Sequence, residues 1–135
     1  MDKTLFLSPE WVARAKDAIN ADEKYHKAAR HISDRISFKI LGAHPASGGR
    51  DVTHFYLGLK NGRCVDTAVE ERKADFYLTG KYEDWKAVLD GKLDVIPAIV
   101  KGKIKMKGNM LHMLKNAIPT TMLVGCFQAV PAWYE

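Results

Sequence analysis

The sequence has few of the residues that build metal centres, disulfide frameworks or nucleotide-binding loops. Its two cysteines, Cys64 and Cys126, lie 62 positions apart, without a Cys-x-x-Cys pair or a histidine at metal-ligand spacing. No Walker-type loop and no Gly-x-Gly-x-x-Gly motif occurs. The segment before Ser8 does not resemble a secretory leader. We therefore expect buried free thiols in a reducing cytoplasm, and neither a metal nor another cofactor.

The histidines also lack the arrangement of a catalytic or metal site. His26 and His31 are five positions apart, which places them about 140° apart around a helix, so they cannot bind one metal ion together. His54 lies among strand aromatics and His112 between methionines, where a hydrogen-bonded structural histidine is the commoner role. We find no nucleophile paired with a base and predict no catalytic residues and no enzymatic activity.

The rest of the composition is that of an ordinary folded domain. The chain has 135 residues, of which 47% are hydrophobic and 27% charged, enough for one domain with a sizeable core. The segment from Asn116 to Tyr134 carries no formal charge. Prolines and polar residues interrupt it, so we expect a buried or ligand-covering helix and not a membrane span.

Positive charge is concentrated in one segment. The formal net charge is +5, and the segment from Lys92 to Lys115, with six lysines and one acid, accounts for all of it. Such a patch attracts an anionic partner, such as a membrane surface, nucleic acid, acyl-CoA or an acidic protein. A solvated lysine row that protects a sheet edge is the alternative. Nucleic acid is disfavoured because the strand aromatics are adjacent pairs that point to opposite faces, Phe55-Tyr56 and Phe76-Tyr77.

The first part of the chain reads as helix followed by strands. Ser8-Pro9-Glu10 is a helix start, and helical spacing over residues 1–32 predicts one long helix or two joined near Asn20. Alternation from Ile36 to Ile40 predicts a strand, and Asn61-Gly62 predicts a hairpin between two more strands. Residues 35–80 should therefore form most of a sheet, with its last strand over Ala74–Thr79.

Residues 81–135 read as helices with one strand. We expect a helix from Tyr82 to Gly91, a short helix after Asp94, and helices beginning at Asn109 and Pro119. Between them, lysines alternate with Ile104 and Met106 over residues 103–107, which predicts a strand. Helices and an antiparallel hairpin together indicate a single α+β domain over residues 1–135.

Methionines are concentrated in the last third of the chain. Four of the five, Met106, Met110, Met113 and Met122, lie there among leucines and isoleucines. Methionine is flexible and polarizable, so these residues predict either an ordinary core or an adaptable wall for an apolar ligand. An apolar cavity beside a lysine row would suit an amphiphile with an anionic head.

The run from Ala74 to Lys115 resembles the second half of the sterol carrier protein type two domain family. The motifs that carry the resemblance are Trp85 in a helix, the turn Gly91-Lys92-Leu93-Asp94, the strand bounded by Gly102-Lys103 and Gly108-Asn109, and the Leu/Met-rich helix that begins at Met110. The resemblance implies a five-stranded, largely antiparallel sheet covered by helices. It also implies a hydrophobic tunnel that binds fatty acids, fatty acyl-CoA, sterols or phospholipids without chemistry.

These observations together give a set of expected site residues. The expected ligand-binding residues are apolar and come from the second half of the chain: Phe76, Leu78, Trp85, Leu89, Ile99, Ile104, Met106, Met110, Met113, Leu114, Ile118, Met122 and Phe127. The residues expected to contact a head group or an anionic membrane are Lys101, Lys103, Lys105 and Lys107. Two other hypotheses remain open: an accessory subunit that presents substrate to an enzyme, or a homodimeric interaction module. The chain could accordingly be a monomer or a homodimer.

Overall fold

A five-stranded sheet with helices packed over it forms the centre of the fold. The computed structural model describes residues 3–134. In chain order the elements are β1 (Thr4–Leu5), α1 (Pro9–Ala21), α2 (Glu23–Ala29), β2 (Arg35–Leu41), β3 (Val52–Lys60), β4 (Arg63–Ala68), β5 (Phe76–Lys81), α3 (Tyr82–Leu89), α4 (Val95–Val100), β6 (Lys105–Lys107), α5 (Met110–Lys115), α6 (Ala117–Gln128) and β7 (Ala132–Trp133). The α+β class expected from the sequence is confirmed.

The sheet has the strand order β4-β3-β2-β5-β6. Strand β2 pairs parallel with β5, and all other neighbours are antiparallel, so the sheet is largely antiparallel as expected. The β3–β4 hairpin turns at Asn61 and Gly62, both with positive φ. The turn packs against the end of α2, where a Cβ on Gly62 would lie 2.8 Å from the carbonyl carbon of Ala29. Glycine is therefore required here for both conformation and space.

The N-terminal helical segment consists of two helices. The Ser8 hydroxyl accepts a hydrogen bond from the Trp11 amide at 3.2 Å and caps α1. Asp22 ends α1, and its carboxylate accepts from the Tyr25 amide at 2.9 Å, which caps α2. Of the two predicted arrangements, two helices are observed, and their junction lies at Asp22, two residues after Asn20.

Several predicted boundaries differ from the observed ones. Strand β5 continues past Thr79 to Lys81, because its parallel pairing with β2 extends to Leu41. Strand β6 begins at Lys105, because the amides of Lys103 and Ile104 instead donate to the Ala98 carbonyl and close α4. These bonds depend on tertiary position, which alternation in the sequence does not report.

Helix α6 begins before the proline that was predicted to start it. Its first residue is Ala117, and the Thr120 amide donates to the Asn116 carbonyl at 3.0 Å. Pro119 occupies the first turn, where its missing N–H has no consequence. Ile118 therefore belongs to α6 and not to the preceding helix.

A small parallel pairing near the two ends of the chain was not predicted. Strand β1 pairs with β7, and the Phe6 amide donates to the Trp133 carbonyl at 2.9 Å. This pairing places Phe6 against the ring of Trp11, with centroids 5.0 Å apart. Phe6 thereby becomes part of the core.

Candidate functional site

An apolar cavity lies between the inner face of the sheet and the helices, with a volume of about 40 Å³. Among the described residues of its lining, Thr120 alone is neither aliphatic nor aromatic. The lining residues are Phe6, Leu7, Trp11, Ile36, Phe38, Phe55, Leu78, Trp85, Val88, Leu89, Val95, Thr120, Leu123, Val124 and Phe127. This first cavity can hold hydrocarbon but offers almost no hydrogen bonds to a polar group.

Aromatic rings form much of the wall of the first cavity. The rings of Phe38 and Phe55 on neighbouring strands stack with centroids 4.1 Å apart and an interplanar angle of 2°. Trp85 and Phe127 meet Phe38 edge-on at 5.7 and 6.1 Å. These stacked and edge-on contacts are the favourable geometries for aromatic pairs, and they join the sheet side of the wall to α3 and α6.

A second cavity adjoins the first and has a volume of about 50 Å³. Its lining combines apolar residues with Asp34, His112, Asn116 and Thr120. The described residues of this lining are Ile32, Asp34, Ile36, Phe76, Leu78, Ile99, Met106, His112, Met113, Asn116 and Thr120. Three side chains, Ile36, Leu78 and Thr120, border both cavities and form the partition between them.

The polar residues of the second cavity are connected by hydrogen bonds. His112 Nε2 lies 3.0 Å from Asp34 Oδ2, which links α5 to the segment before β2. The Asn116 side chain donates to the His112 carbonyl at 2.9 Å, and its amide oxygen lies 2.9 Å from His31 Nε2. The His112 ring also stacks on Phe76, with centroids 5.6 Å apart. The paired cavities therefore have one wholly apolar end and one end with polar groups.

Eight of the expected ligand-binding residues border these cavities. Leu78, Trp85, Leu89 and Phe127 line the first cavity, while Phe76, Ile99, Met106 and Met113 line the second, with Leu78 shared. They belong to β5, α3, α4, β6, α5 and α6, which the tertiary fold brings together.

The other five expected ligand-binding residues lie outside both linings. Ile104 is fully buried in the core, and Met122 is half-buried against it. Met110, Leu114 and Ile118 are exposed. An apolar residue on a short helix can face either the protein or the solvent, and local periodicity does not distinguish these orientations when most positions are apolar.

The lysine row faces away from the cavities. In β6, Met106 pairs with the inward-facing Leu78, while Lys105 and Lys107 flank it and point to the opposite face of the sheet. Lys107 Nζ lies 5.9 Å from the centroid of the Tyr77 ring on that outer face. Lys101 and Lys103 are exposed in the turn that follows α4.

Sequence reasoning missed lining residues from the first half of the chain. Ile36 and Phe38 alternate on β2, so the sequence predicts that they share one face of the sheet. It does not predict that this face contacts the C-terminal helices. Phe6 carries no signal for a cavity, because the β1–β7 pairing places it there, and Trp11 on α1 shows only the helical spacing of an ordinary core residue. His112 was predicted to be structural, and it does have a hydrogen-bond partner, but it also borders the second cavity.

Both cysteines are free and buried. Burial raises the pKa of the Cys64 thiol to about 11. Burial, together with the Asp22 carboxylate 3.5 Å away, raises the pKa of Cys126 to about 12. Both therefore remain protonated and weakly nucleophilic at neutral pH. Within residues 3–134, no three His, Cys, Asp or Glu side chains are grouped so that they could hold a metal ion.

The two cavities are narrow for a lipid. Together they hold far less than the ~300–1,000 Å³ of ordinary small-molecule pockets. Admitting a long aliphatic chain requires the covering helices to move outward. Helix α6 borders both cavities through Thr120, and α4 borders them through Val95 and Ile99, so displacement of either helix would enlarge both. None of the helices in the described part of the chain is both long and apolar enough to cross a membrane.

Comparison with known proteins places this architecture in a family. The model of the SCP-2 sterol transfer family matches residues 13–117. Sterol carrier protein 2 from Homo sapiens is 28% identical over 89 residues, which cover 66% of this chain but 16% of that protein. This chain therefore corresponds to about a sixth of the length of that relative.

Solved structures agree with the family model. The solution structure of a conserved hypothetical protein from Thermus thermophilus superposes with a TM-score of 0.84 at 22% identity, covering 100% of this chain and 96% of that one. Sterol Carrier Protein-2 from Aedes aegypti, solved in complex with palmitate, gives a TM-score of 0.53 at 21% identity, covering 86% of this chain and 96% of that one. The chain belongs to the SCP-2 sterol transfer family.

Proposed function

We propose that this protein is a non-catalytic carrier that binds the aliphatic part of a lipid between its sheet and helices α5 and α6. The observation that carries the proposal is the lining of the first cavity, whose described residues are all aliphatic or aromatic except Thr120. A hydrocarbon chain gains about 0.8 kcal/mol per CH₂ group that it buries in such a space. The two cavities, joined by displacement of their partition, would form the tunnel that the family resemblance implies.

The polarity of the cavities orients the ligand in this proposal. The aliphatic end occupies the first cavity, and the polar end lies beside Asp34, His112 and Asn116 in the second. The ligand classes we propose are fatty acids, fatty acyl-CoA, sterols and phospholipids. The palmitate complex of the Aedes aegypti protein supports a fatty-acyl ligand in particular.

The hydrogen bonds of the second cavity favour binding over catalysis. His112 and Asp34 resemble the base and orienting acid of a hydrolytic site, which also needs a nucleophile. The hydroxyl bordering the same cavity, that of Thr120, donates to the Asn116 carbonyl at 2.8 Å and not to His112. In the described lining no serine or cysteine accompanies them.

The lysine row is proposed to act outside the cavities. Lys101, Lys103, Lys105 and Lys107 are all exposed and would attract an anionic head group or membrane surface. Because Lys105 and Lys107 lie on the outer face of the sheet, their role would be attraction at a distance and not contact with a lipid inside the protein.

Native mass spectrometry of freshly purified protein tests the proposal most directly. We expect a retained lipid whose mass identifies its class, and saturable one-to-one binding of a fluorescent fatty acid after delipidation. A delipidated sample that binds no fatty acid, acyl-CoA or sterol would overturn the proposal. Consistent co-purification with a partner enzyme, and no lipid bound to the isolated chain, would instead support the accessory-subunit hypothesis.

A further inference from the structure

One face of helix α5 is buried and the other is exposed. Met113 is buried and borders the second cavity, beside His112 and Asn116. On the other side, Leu111 and Leu114 are 71% and 44% exposed, and Ile118 in the first turn of α6 is 74% exposed. We call Leu111, Leu114 and Ile118 the apolar rim. Single exposed apolar residues are common, but these three are close in the sequence and Met110, 40% exposed, directly precedes them, so together they indicate a contact surface.

The sequence around the apolar rim is exclusively basic. From Val95 to Tyr134 the chain has five lysines and no acidic residue. Lys115 is exposed on α5 itself, directly after Leu114. Asp34, the acid that borders the same cavity, is paired with His112 at 3.0 Å. Exposed apolar side chains beside an exposed lysine, here Lys115, in a segment without acidic residues are a combination that binds anionic bilayers, since the two attractions add.

We propose that the apolar rim inserts into the head-group region of an anionic bilayer, so that the second cavity opens against the membrane. This inference rests on the proposed carrier function, because it gives a lipid a path between bilayer and cavity that avoids water. It assigns membrane contact to α5 and the start of α6, and not to the lysines on the outer sheet face. Leu114 and Ile118 were expected from the sequence to lie in the tunnel. In this inference they contact the membrane instead.

A second copy of the chain fits this surface less well than a bilayer. Stable protein interfaces bury about 800 Å² per partner and involve roughly 20–30 residues on each side. The apolar rim contributes three side chains, and a symmetric contact through it would bring Lys115 of both copies together. An anionic bilayer needs no such area and attracts the same lysine.

Vesicle co-sedimentation with a matched pair of variants tests the inference. The vesicles contain phosphatidylcholine with about 30% phosphatidylserine, at about 50 mM salt, where the Debye length is longer than at physiological ionic strength. The test variant is Leu111→Asp with Ile118→Asp. The control is Val65→Asp with Val69→Asp, at two other exposed apolar residues, 56% and 47% exposed, in β4 and directly after it. Circular dichroism verifies the fold of both.

We expect the Leu111/Ile118 variant to lose at least about tenfold in partitioning, while the Val65/Val69 control stays near the wild type, because only the rim enters the bilayer. Lys115→Gln should weaken binding about fivefold, and Lys105→Gln clearly less. Equal losses in the two double variants, or wild-type partitioning in both, would overturn the inference. Sedimentation velocity showing that the Leu111/Ile118 change converts a dimer to a monomer would also overturn it.

The same samples distinguish this inference from the carrier function. The Leu111/Ile118 variant should bind fluorescent fatty acid in solution as the wild type does, since neither residue borders a cavity. If the wild type binds fatty acid but no vesicles, the membrane inference fails and the carrier function stands. If it binds vesicles through the rim but no fatty acid, acyl-CoA or sterol, the carrier function fails instead.

Discussion

The side chain of Asn20 makes two hydrogen bonds to the backbone of Cys64. Its Nδ2 donates to the Cys64 carbonyl at 2.9 Å, and its Oδ1 accepts from the Cys64 amide at 2.8 Å. Cys64 belongs to β4, the edge strand beside β3, so the amide of a helix residue takes the place that a further strand would occupy. This contact joins α1 to the sheet and blocks part of an edge that could otherwise pair with another chain.

Replacing Asn20 with alanine should therefore destabilise the protein by about 2 kcal/mol, because two backbone groups of the buried residue Cys64 lose their partners. Urea denaturation of Asn20→Ala measures this loss. Asp17→Ala, at an exposed position on the same helix, is the control and should change stability by less than about 0.5 kcal/mol. Equal effects of the two substitutions would show that the Asn20 contact is not stabilising.

Two glycines separate the cost of steric crowding from that of backbone conformation. Gly62 and Gly91 have nearly the same φ, 77° and 75°, but a Cβ at Gly62 would lie 2.8 Å from Ala29, whereas at Gly91 no described atom lies within 4 Å. Gly91→Ala should cost about 1 kcal/mol from the positive φ alone. Gly62→Ala should cost at least about 1 kcal/mol more, because the hairpin must move from α2. Similar melting temperatures would contradict the close approach.

Thr120 lies at the partition of the two cavities, and its neighbour Thr121 is exposed. Thr120→Phe should fill the junction and reduce the affinity for a long-chain fluorescent fatty acid by about tenfold or more, because the chain can no longer pass between the cavities. Thr121→Phe adds the same ring outside and should leave affinity unchanged. Comparable affinities for the two variants would show that the ligand does not cross the partition.

The buried ring of His44 should make the folded protein less stable in acid. Its ring stacks on Tyr82 at 4.7 Å, its Nε2 lies 2.8 Å from the Thr53 hydroxyl, and burial, with a smaller effect of Arg50, lowers its pKa. As the pH falls below about 6.5, the unfolded state binds a proton that the folded state does not, so stability decreases. Melting temperatures between about pH 7 and pH 5 should fall less in His44→Gln than in the wild type. Parallel profiles would contradict this assignment.

The two thiols should be unreactive in the folded protein. The raised pKa values of Cys64 and Cys126, about 11 and about 12, leave almost no thiolate at about pH 8, and both side chains are buried. A disulfide reagent such as Ellman's should label both within minutes in denaturant and neither on that timescale under native conditions. Rapid labelling of the native protein would show that the covering helices open frequently.

Local signals in the sequence predicted most of the elements. Ser8, Asn109 and the Asn61-Gly62 turn each provide their own cap or turn geometry, so their effects do not depend on distant residues. Two of the predicted boundaries that were wrong, at Thr79 and Lys103, are strand ends that depend on hydrogen bonds to backbone outside the strand itself. The β1–β7 pairing was missed because two-residue strands have no periodicity to detect.

The sequence by itself determined the α+β class, the apolar character of the C-terminal helices and the concentration of lysines, since these follow from residue type and spacing. Only the tertiary structure decided which apolar residues face a cavity. Met113 and Leu114 are adjacent in the sequence, yet one borders the second cavity and the other faces solvent, because α5 presents only one side to the sheet. The tertiary structure likewise brought Asp34 to His112 across 78 positions, a proximity that no local pattern encodes.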